Sequence, residues 1–352
     1  MNPFDAASPL DARYYLAESD FFQRLHPYVS EAAQVKYLAR VEAALTETLA
    51  AHGVCSSAAA KEIAQAAAVV TPDEVYAEER RIQHNIRALV NCIRNKISPA
   101  ARPFVHLFAT SADIMDSARA VCLREVTKDV LLPDLGELLR KLIRLARAYA
   151  DTPQMGRTHG QHAVPITFGF AVALYVSRLG QRIETIDWAA QNLRGKFAGA
   201  VGAYNALSLL RRDNPAALEA DLMKRLGLAV PQISSQVVQP EYVTDFVYAL
   251  ASTWGIMANL ADDFRHLQRS EIRELRDKKA ENPKSEVVGS STMPHKINPK
   301  DFENVKSLWK AYMPRLVTVL MDQVSEHQRD LTNSASSRFV TEFVTAFAYG
   351  IY

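Results

Sequence analysis

The sequence predicts an all-α protein, an elongated bundle of long helices with a smaller N-terminal helical domain. Glycine is sparse, with 13 residues among 352, and it clusters at a few points, while Ala, Leu, Glu and Arg fill long intervals between these clusters. Two of these intervals carry apolar residues in alternating steps of three and four, the spacing of a helix that packs along its whole length. The two seams are Val172, Val176, Leu179, Ile183, Ile186, Ala190 and Leu193, and Val243, Val247, Leu250, Trp254, Met257, Ala261 and Phe264.

The seams predict long helices over residues 169–193 and 241–276, well above the mean globular length of about 11 residues. A third long helix is predicted over 112–149, with an interruption near Pro133. Shorter helices are predicted over 31–52, 57–68 and 73–96, and two X-Pro pairs near residue 100 mark the passage into the bundle. We therefore expect an N-terminal domain over 1–108 and a bundle domain over 109–352.

Composition gives little support to nucleic acid or a membrane as a partner. The net charge is +2, with 48% hydrophobic and 23% charged residues, as in globular proteins. No apolar run approaches the roughly 18 residues of a membrane span, and the N-terminus lacks a signal pattern, so a cytoplasmic protein is expected. Cys55, Cys92 and Cys122 are scattered singly, which favours free thiols over disulfides or a zinc site.

The segment 289–299, GSSTMPHKINP, concentrates features of an anion site. Gly289 permits unusual dihedral angles, Pro294 and Pro299 exclude regular structure, and Ser290 and Ser291 supply hydroxyls beside backbone N–H groups. Lys296 adds a positive charge. Taken alone, the composition also fits an ordinary linker between helices.

A second such segment, GRTHGQHAVP over residues 156–165, lies between two predicted long helices. Its glycines and Pro165 deny His159 and His162 a helix, and no third ligand is nearby, so no metal is expected. His159 is either a loop histidine bound to a carbonyl or a group for proton transfer.

Three further segments carry polar groups. Thr110 and Ser111 precede a long helix, where they either cap it or bind a carboxylate. His84 and Asn85 fall on the polar side of the helix predicted over 73–96, where a solvated face is the simpler interpretation. Residues 326–338 combine two arginines with four hydroxyls, which suits a phosphate or a capped surface helix.

Together the segments resemble the fumarase/aspartase superfamily, helical homotetrameric lyases that release fumarate, and within it the adenylosuccinate lyases. The resemblance extends from Ser8 to Arg338. Its segments, in family order, are SPLDARYY, IQHN, FVHLFATSADIMDSA, MGRTHGQHAVPITFG, GAVGAYNA, SSQVVQPEY, GSSTMPHKINP and QRDLTNSASSR.

The resemblance implies a β-elimination that releases fumarate from adenylosuccinate, without a cofactor, and from a second purine-pathway ribotide. It implies that Ser290 is the general base and His159 the general acid, with His84 in support. It also implies binding of the succinyl carboxylates by Lys296 and Asn298. The other implied substrate-binding residues are Arg13, Tyr14, Asn85, Thr110, Ser111, Gln236, Ser291, Asn304, Arg329, Ser334 and Arg338.

Asn85 replaces the aspartate that most family members carry after the histidine, and His162 replaces a proline. Members also continue beyond the equivalent of Tyr352 into a third small helical domain, which is expected to be absent here. The family's shared sites, and apolar Leu174, Tyr175 and Trp188 beside the first seam, predict a homotetramer.

Two alternatives stay open at the sequence level. One is another fumarate-releasing lyase, such as one of the argininosuccinate lyase type, with a substrate that lacks phosphate. The other is a non-catalytic protein that keeps the fold, a hypothesis that the chain length and Asn85 raise.

Overall fold

A computed structural model describes residues 3–210, 214–276, 292–293 and 296–352. The chain is mostly helical, as predicted, with one β-hairpin in the described part. Short turns of 3₁₀ helix cover Pro3–Asp5, Arg102–Phe104 and Ser336–Arg338, and π-helical turns cover Leu10–Tyr14 and Thr127–Leu131.

The remaining elements are, in chain order, α1 (Tyr15–Ala17), α2 (Ser19–Val29), α3 (Glu31–Ala51), α4 (Ser57–Ala68), α5 (Pro72–Ile82), α6 (Asn85–Arg94), α7 (Ser111–Val126), α8 (Leu132–Ala148), β1 (Pro153–Thr158), β2 (Gln161–Thr167), α9 (Phe168–Gln191), α10 (Asn205–Leu210), α11 (Ala216–Arg225), α12 (Glu241–Leu267), α13 (Lys300–Tyr312), α14 (Pro314–Met321) and α15 (Phe339–Ile351).

Both predicted seams are confirmed as inward faces of α9 and α12. In each seam most side chains are buried and the others are partly buried. Leu174 and Trp188 on α9 are 56% and 60% exposed. Tyr175, which we expected to need a partner outside the chain, is instead buried, and its hydroxyl donates to Asp263 within the chain.

Two helix predictions were wrong in detail, and a third was confirmed. The helix predicted over 73–96 is divided between α5 and α6, because Gln83 is left-handed (φ 57°) and His84 caps α6. The helix predicted over 241–276 ends at Leu267, and Arg273 beyond it has φ 53°. The helix predicted over 112–149 is interrupted near Pro133, as expected, because the π-helical turn Thr127–Leu131 separates α7 from α8.

The chain divides into two compact units. The first comprises residues 1–131, 187–247 and 318–345, and the second comprises 132–186, 248–317 and 346–352. The division predicted at residue 108 stays a prediction.

In the first unit, α3 is the central helix. It packs against α4, α5, α7 and α11, and it is buried along most of its length, including Leu45 and Leu49. Ser30 caps it by accepting a hydrogen bond from Ala33 N at 3.1 Å. Cys122 on α7 is also buried here, and its thiol donates to Tyr28 O at 3.1 Å. Burial raises the pKa of this thiol to about 12.

In the second unit, aromatic rings bring α12, α13 and α15 together. The ring of Trp254 lies 6.0 Å from that of Tyr312 and 5.7 Å from that of Phe347, between centroids. Gly350 faces Trp254 so closely that a Cβ there would lie 2.9 Å from Nε1. Over the described ranges of both units, no helix is long and apolar enough to cross a membrane.

Candidate active site

A buried ion pair fixes the start of α7, where Thr110 and Ser111 lie. The side chains of Asp113 and Lys196 have no exposed surface, and the ammonium donates to Asp113 Oδ1. Asp113 also accepts from the backbone N–H groups of Thr110 at 2.8 Å, Ala198 at 3.2 Å and Gly199 at 3.3 Å. These bonds join the Thr110–Ser111 turn to the loop after α9 and hold both hydroxyl residues in place, partly buried.

The same loop holds the segment that carries Gln236. Gly202 has φ 74°, and a Cβ there would lie 2.2 Å from Ser234 O and 2.5 Å from Ser235 O. Only glycine allows this approach without displacing the backbone. Two residues after Gln236, Val238 N donates to Asp116 Oδ2 on α7 at 2.9 Å. The backbone on both sides of Gln236 is thus fixed, by Gly202 before it and by Asp116 after it.

Gln236 meets one of the predicted phosphate-binding arginines. Arg329 Nη1 donates to Gln236 Oε1 at 3.2 Å, although 93 residues separate the two in sequence. A guanidinium has five N–H donors, so Arg329 retains capacity for a phosphate or carboxylate beside Gln236.

The segment after Arg329 is also tied to α7. Arg119 Nη2 donates to Ser337 Oγ at 3.3 Å, and Ser337 Oγ in turn donates to Ser334 O at 3.4 Å. Ser334 is partly buried and Arg338 is exposed. The pKa of Tyr76 is raised by burial and by Glu31, and the positive charge of Arg338 opposes part of this rise.

His84 and Asn85 lie at the start of α6 rather than on a continuous helix face. His84 Nδ1 accepts from Arg87 N at 3.2 Å, which makes the imidazole an N-cap, and both side chains are exposed. Asn85 Nδ2 donates to Met115 Sδ on α7 at 3.6 Å. Arg13 and Tyr14 end the π-helical turn near the N-terminus, and Arg13 is exposed.

His159 lies in the second unit, at the tip of a β-hairpin that the sequence did not predict. His159 and Gly160 form the two-residue turn between β1 and β2 with φ 54° and 74°, as a type I′ turn requires. Arg157 donates to Glu274, to which Gln154 Nε2 also donates at 3.0 Å. These bonds brace the hairpin and leave His159 exposed.

The other predicted residues of the second unit lie near the start of α13. Lys296 is exposed, while Asn298 and Asn304 are partly buried. Ser290, Ser291 and the flanking Gly289 and Pro294 lie outside the described residues. In the described ranges no group of three His, Cys, Asp or Glu side chains is arranged to hold a metal ion.

Of the predicted residues, the structure shows direct side-chain contact between Gln236 and Arg329. The sequence did not predict the supporting groups, which are Asp113, Asp116, Arg119 and Lys196. One of them had a local signal: Thr110-x-x-Asp113 has the spacing of a capping box. Charged residues in a helical sequence otherwise resemble a solvated face, so their burial is not evident from local pattern.

The fold and these segments define the chain as a lyase. A family model described as "Lyase" matches residues 14–310, and the chain belongs to this family. It is 35% identical over 341 residues to the adenylosuccinate lyase of Archaeoglobus fulgidus, a match that covers 97% of this chain and 73% of that protein. It is 31% identical over 304 residues to the N-acetyl-S-(2-succino)cysteine lyase of Enterococcus italicus, covering 85% and 64% of the two chains.

Among solved structures, the chain resembles the 3-carboxy-cis,cis-muconate lactonizing enzyme from Pseudomonas putida. The TM-score is 0.81 at 24% identity, and the match covers 95% of this chain and 74% of the other. This likeness supports the fold, which is the mostly helical one expected for the superfamily.

Proposed function

We propose that this lyase releases fumarate from adenylosuccinate to give AMP, and from the purine-pathway ribotide SAICAR to give AICAR. Similarity to an adenylosuccinate lyase along 97% of the chain supports this reaction. The observation that carries the proposal is the hydrogen bond from Arg329 to Gln236, because a guanidinium is a bidentate donor suited to phosphate.

The reaction is a β-elimination. A proton leaves the carbon next to one succinyl carboxylate, its electron pair forms the double bond of fumarate, and the C–N bond breaks. The nitrogen that carried the succinyl group leaves with the bond electrons and takes a proton. One group must therefore accept a proton and another must donate one.

Ser290 is the proposed base and His159 the proposed acid. A serine hydroxyl is a weak base, so Ser290 requires backbone N–H groups and the charge of Lys296 to stabilise its oxyanion. His159 suits the second role because an imidazole exchanges protons near neutral pH, and its exposed position on the turn leaves it accessible. His84 supports proton transfer and orients the substrate together with Asn85.

The remaining residues bind the two ends of the substrate. Lys296, Asn298, Thr110, Ser111 and Ser291 bind the succinyl carboxylates, on one of which negative charge accumulates during proton removal. At the nucleotide end, Gln236 and Asn304 contact the base region. Phosphate and ribose are bound by Arg13, Tyr14, Arg329, Ser334 and Arg338.

An absorbance assay of adenylosuccinate consumption tests the proposal. We expect turnover by the wild-type protein, and losses of at least about 100-fold in kcat for Ser290→Ala and His159→Gln. Ser57→Ala, at an exposed helix start, and His162→Gln, in the same hairpin, are matched controls that keep activity. Equal turnover by His159→Gln and His162→Gln contradicts the role of His159.

A second candidate substrate is a thioether that lacks phosphate, favoured by the 31% identity to the N-acetyl-S-(2-succino)cysteine lyase. Arg329→Met separates the two substrates. It is expected to raise KM for adenylosuccinate because a phosphate contact is lost. An unchanged KM for adenylosuccinate, together with turnover of N-acetyl-S-(2-succino)cysteine, favours the thioether.

A cytoplasmic homotetramer is the proposed assembly. Leu174 and Trp188 on α9 are more than half exposed in the single chain, and covering such apolar side chains favours association. Size-exclusion chromatography with light scattering measures the state directly. A monomer at micromolar concentration contradicts this part of the proposal.

A further inference from the structure

Asp116 and Arg119 lie three residues apart on α7, and each is bonded to one of the two segments that carry Gln236 and Arg329. Residues three apart on a helix share a face. Asp116 Oδ2 accepts from Val238 N at 2.9 Å, two residues after Gln236. Arg119 Nη2 donates to Ser337 Oγ at 3.3 Å, eight residues after Arg329. One face of α7 thus contacts both segments.

One carboxylate and three positively charged side chains interact at this face of α7. The positive charges of Arg119, Lys196 and Arg329 act on the partly buried carboxylate of Asp116. Burial raises the pKa of Asp116, and these three cations together with the N–H of Val238 oppose the rise. Asp116 thereby attracts Arg329 while it holds the backbone beside Gln236.

The contact between Gln236 and Arg329 depends on this arrangement. Their 3.2 Å bond joins segments that enter from distant parts of the sequence, and each segment has a separate bond to α7. A guanidinium binds phosphate through paired N–H donors in a fixed geometry, so shifts of Arg329 weaken binding of the nucleotide end. The two bonds to α7 reduce such shifts at both segments.

We propose that Asp116 and Arg119 are positioning residues, which hold Gln236 and Arg329 in the geometry that binds the nucleotide end of the substrate. The role rests on the proposed function, since it concerns the same site. Neither side chain is assigned a step in the chemistry, and both act through the segments that they hold.

Substitutions at Asp116 separate charge from hydrogen bonding. Asp116→Asn keeps an oxygen that accepts from Val238 N, whereas Asp116→Ala removes charge and acceptor together. We expect Asp116→Ala to raise KM for adenylosuccinate about 10-fold or more, with a smaller change in kcat, because ground-state and transition-state binding weaken together. Asp116→Asn is expected to recover part of this loss. Arg119→Met is expected to raise KM in the same way.

Matched controls are Asp221→Asn and Arg225→Met, which remove a surface ion pair of 3.3 Å on α11 in the same unit. Thermal unfolding of every variant checks that the fold is kept. If Asp116→Ala keeps the wild-type KM, or loses kcat and stability together at an unchanged KM, the positioning role is overturned.

Binding of AMP, titrated calorimetrically, distinguishes this proposal from the proposed function. If wild-type protein fails to cleave adenylosuccinate but binds AMP, the lyase proposal is contradicted while the positioning role is still tested. Weaker binding of AMP by Asp116→Ala then supports the role, and equal binding contradicts it. A wild-type protein that neither cleaves nor binds contradicts both.

Discussion

His106 Nδ1 lies 2.6 Å from Glu42 Oε1, and this contact joins the loop before α7 to the buried middle of α3. The loop is unusual, because His106 and Phe108 both have left-handed backbones with φ 61° and 66°. Glu42 has no exposed side-chain surface. The pair therefore anchors a loop that leads directly to Thr110 and Ser111.

The pair gives stability a specific pH dependence. Burial alone lowers the pKa of His106, but the hydrogen bond and negative charge of Glu42 outweigh burial, and the net pKa is raised. Because the folded-state pKa of His106 is raised, the protonated side chain contributes its full stabilisation of the fold below the unfolded-state pKa of about 6.5. This contribution is lost as the pH rises through the folded-state pKa. We expect His106→Gln to lose about 1–3 kcal/mol at low pH and little above that window.

Denaturant unfolding across pH measures this difference. His162→Gln, in the exposed hairpin, is the control and is expected to follow the wild-type curve. Parallel curves for His106→Gln and wild type would show that the pair does not titrate on unfolding.

The ion pair of Lys196 and Asp113 predicts strong coupling in stability. Lys196→Met leaves a buried carboxylate with only backbone donors, which costs about 3–5 kcal/mol. Asp113→Asn leaves a buried ammonium at a similar cost. The double variant removes both charges, so it is expected to lose less than the sum, as a double-mutant cycle in urea measures. Simple additivity contradicts a direct pairing.

Gly202→Ala tests the contact behind Gln236, and Gly227→Ala is its control. The two glycines have nearly the same φ, 74° and 70°, but a Cβ at Gly227 meets nothing within 4 Å. Gly227→Ala therefore loses about 1–2 kcal/mol from backbone strain alone. Gly202→Ala is expected to lose about 1–3 kcal/mol more stability than this control, because Ser234 must shift. The KM of the Gly202→Ala variant is also expected to rise. Thermal unfolding and steady-state kinetics measure the two effects, and equal losses in stability count against the close approach.

The turn at His159 permits a substitution that separates folding from catalysis. Asparagine adopts positive φ readily, so His159→Asn is expected to preserve the hairpin. Its kcat is expected to fall about 10²–10⁴-fold, because the proposed acid is removed. Circular dichroism checks the fold, and His162→Asn is the matched control with retained activity. Full activity in His159→Asn assigns the acid to another group.

Periodicity predicted the long helices well, because apolar spacing directly reports burial along α9 and α12. It failed at the junction of α5 and α6, where the apolar spacing continues while Gln83 turns the backbone and His84 caps the next helix. The hairpin escaped prediction because neither strand alternates between buried and exposed side chains. β1 is mostly partly buried, with a bulge at Gly156, and β2 is mostly exposed. At that bulge, a Cβ would lie 2.6 Å from Val164 O.

Site residues were predicted from motifs, whereas their supports depend on distant pairing. Nothing near Asp116 in sequence indicates that it accepts from Val238, 122 residues later. Likewise, Lys196 follows a long helix as an ordinary surface lysine would, but it is buried against Asp113. Such contacts arise only when the chain brings separate segments together.

The reactivity of Cys122 provides a probe for the opening of α7. Alkylating reagents attack the thiolate, and its raised pKa, burial and bond to Tyr28 O keep this thiol unreactive while α7 stays packed on α2. The rate of alkylation at Cys122, followed by peptide mass spectrometry, therefore reports how often that packing opens. Because Asp113, Asp116 and Arg119 lie on the same helix, alkylation of Cys122 also reports how often these supporting groups of the candidate site become exposed.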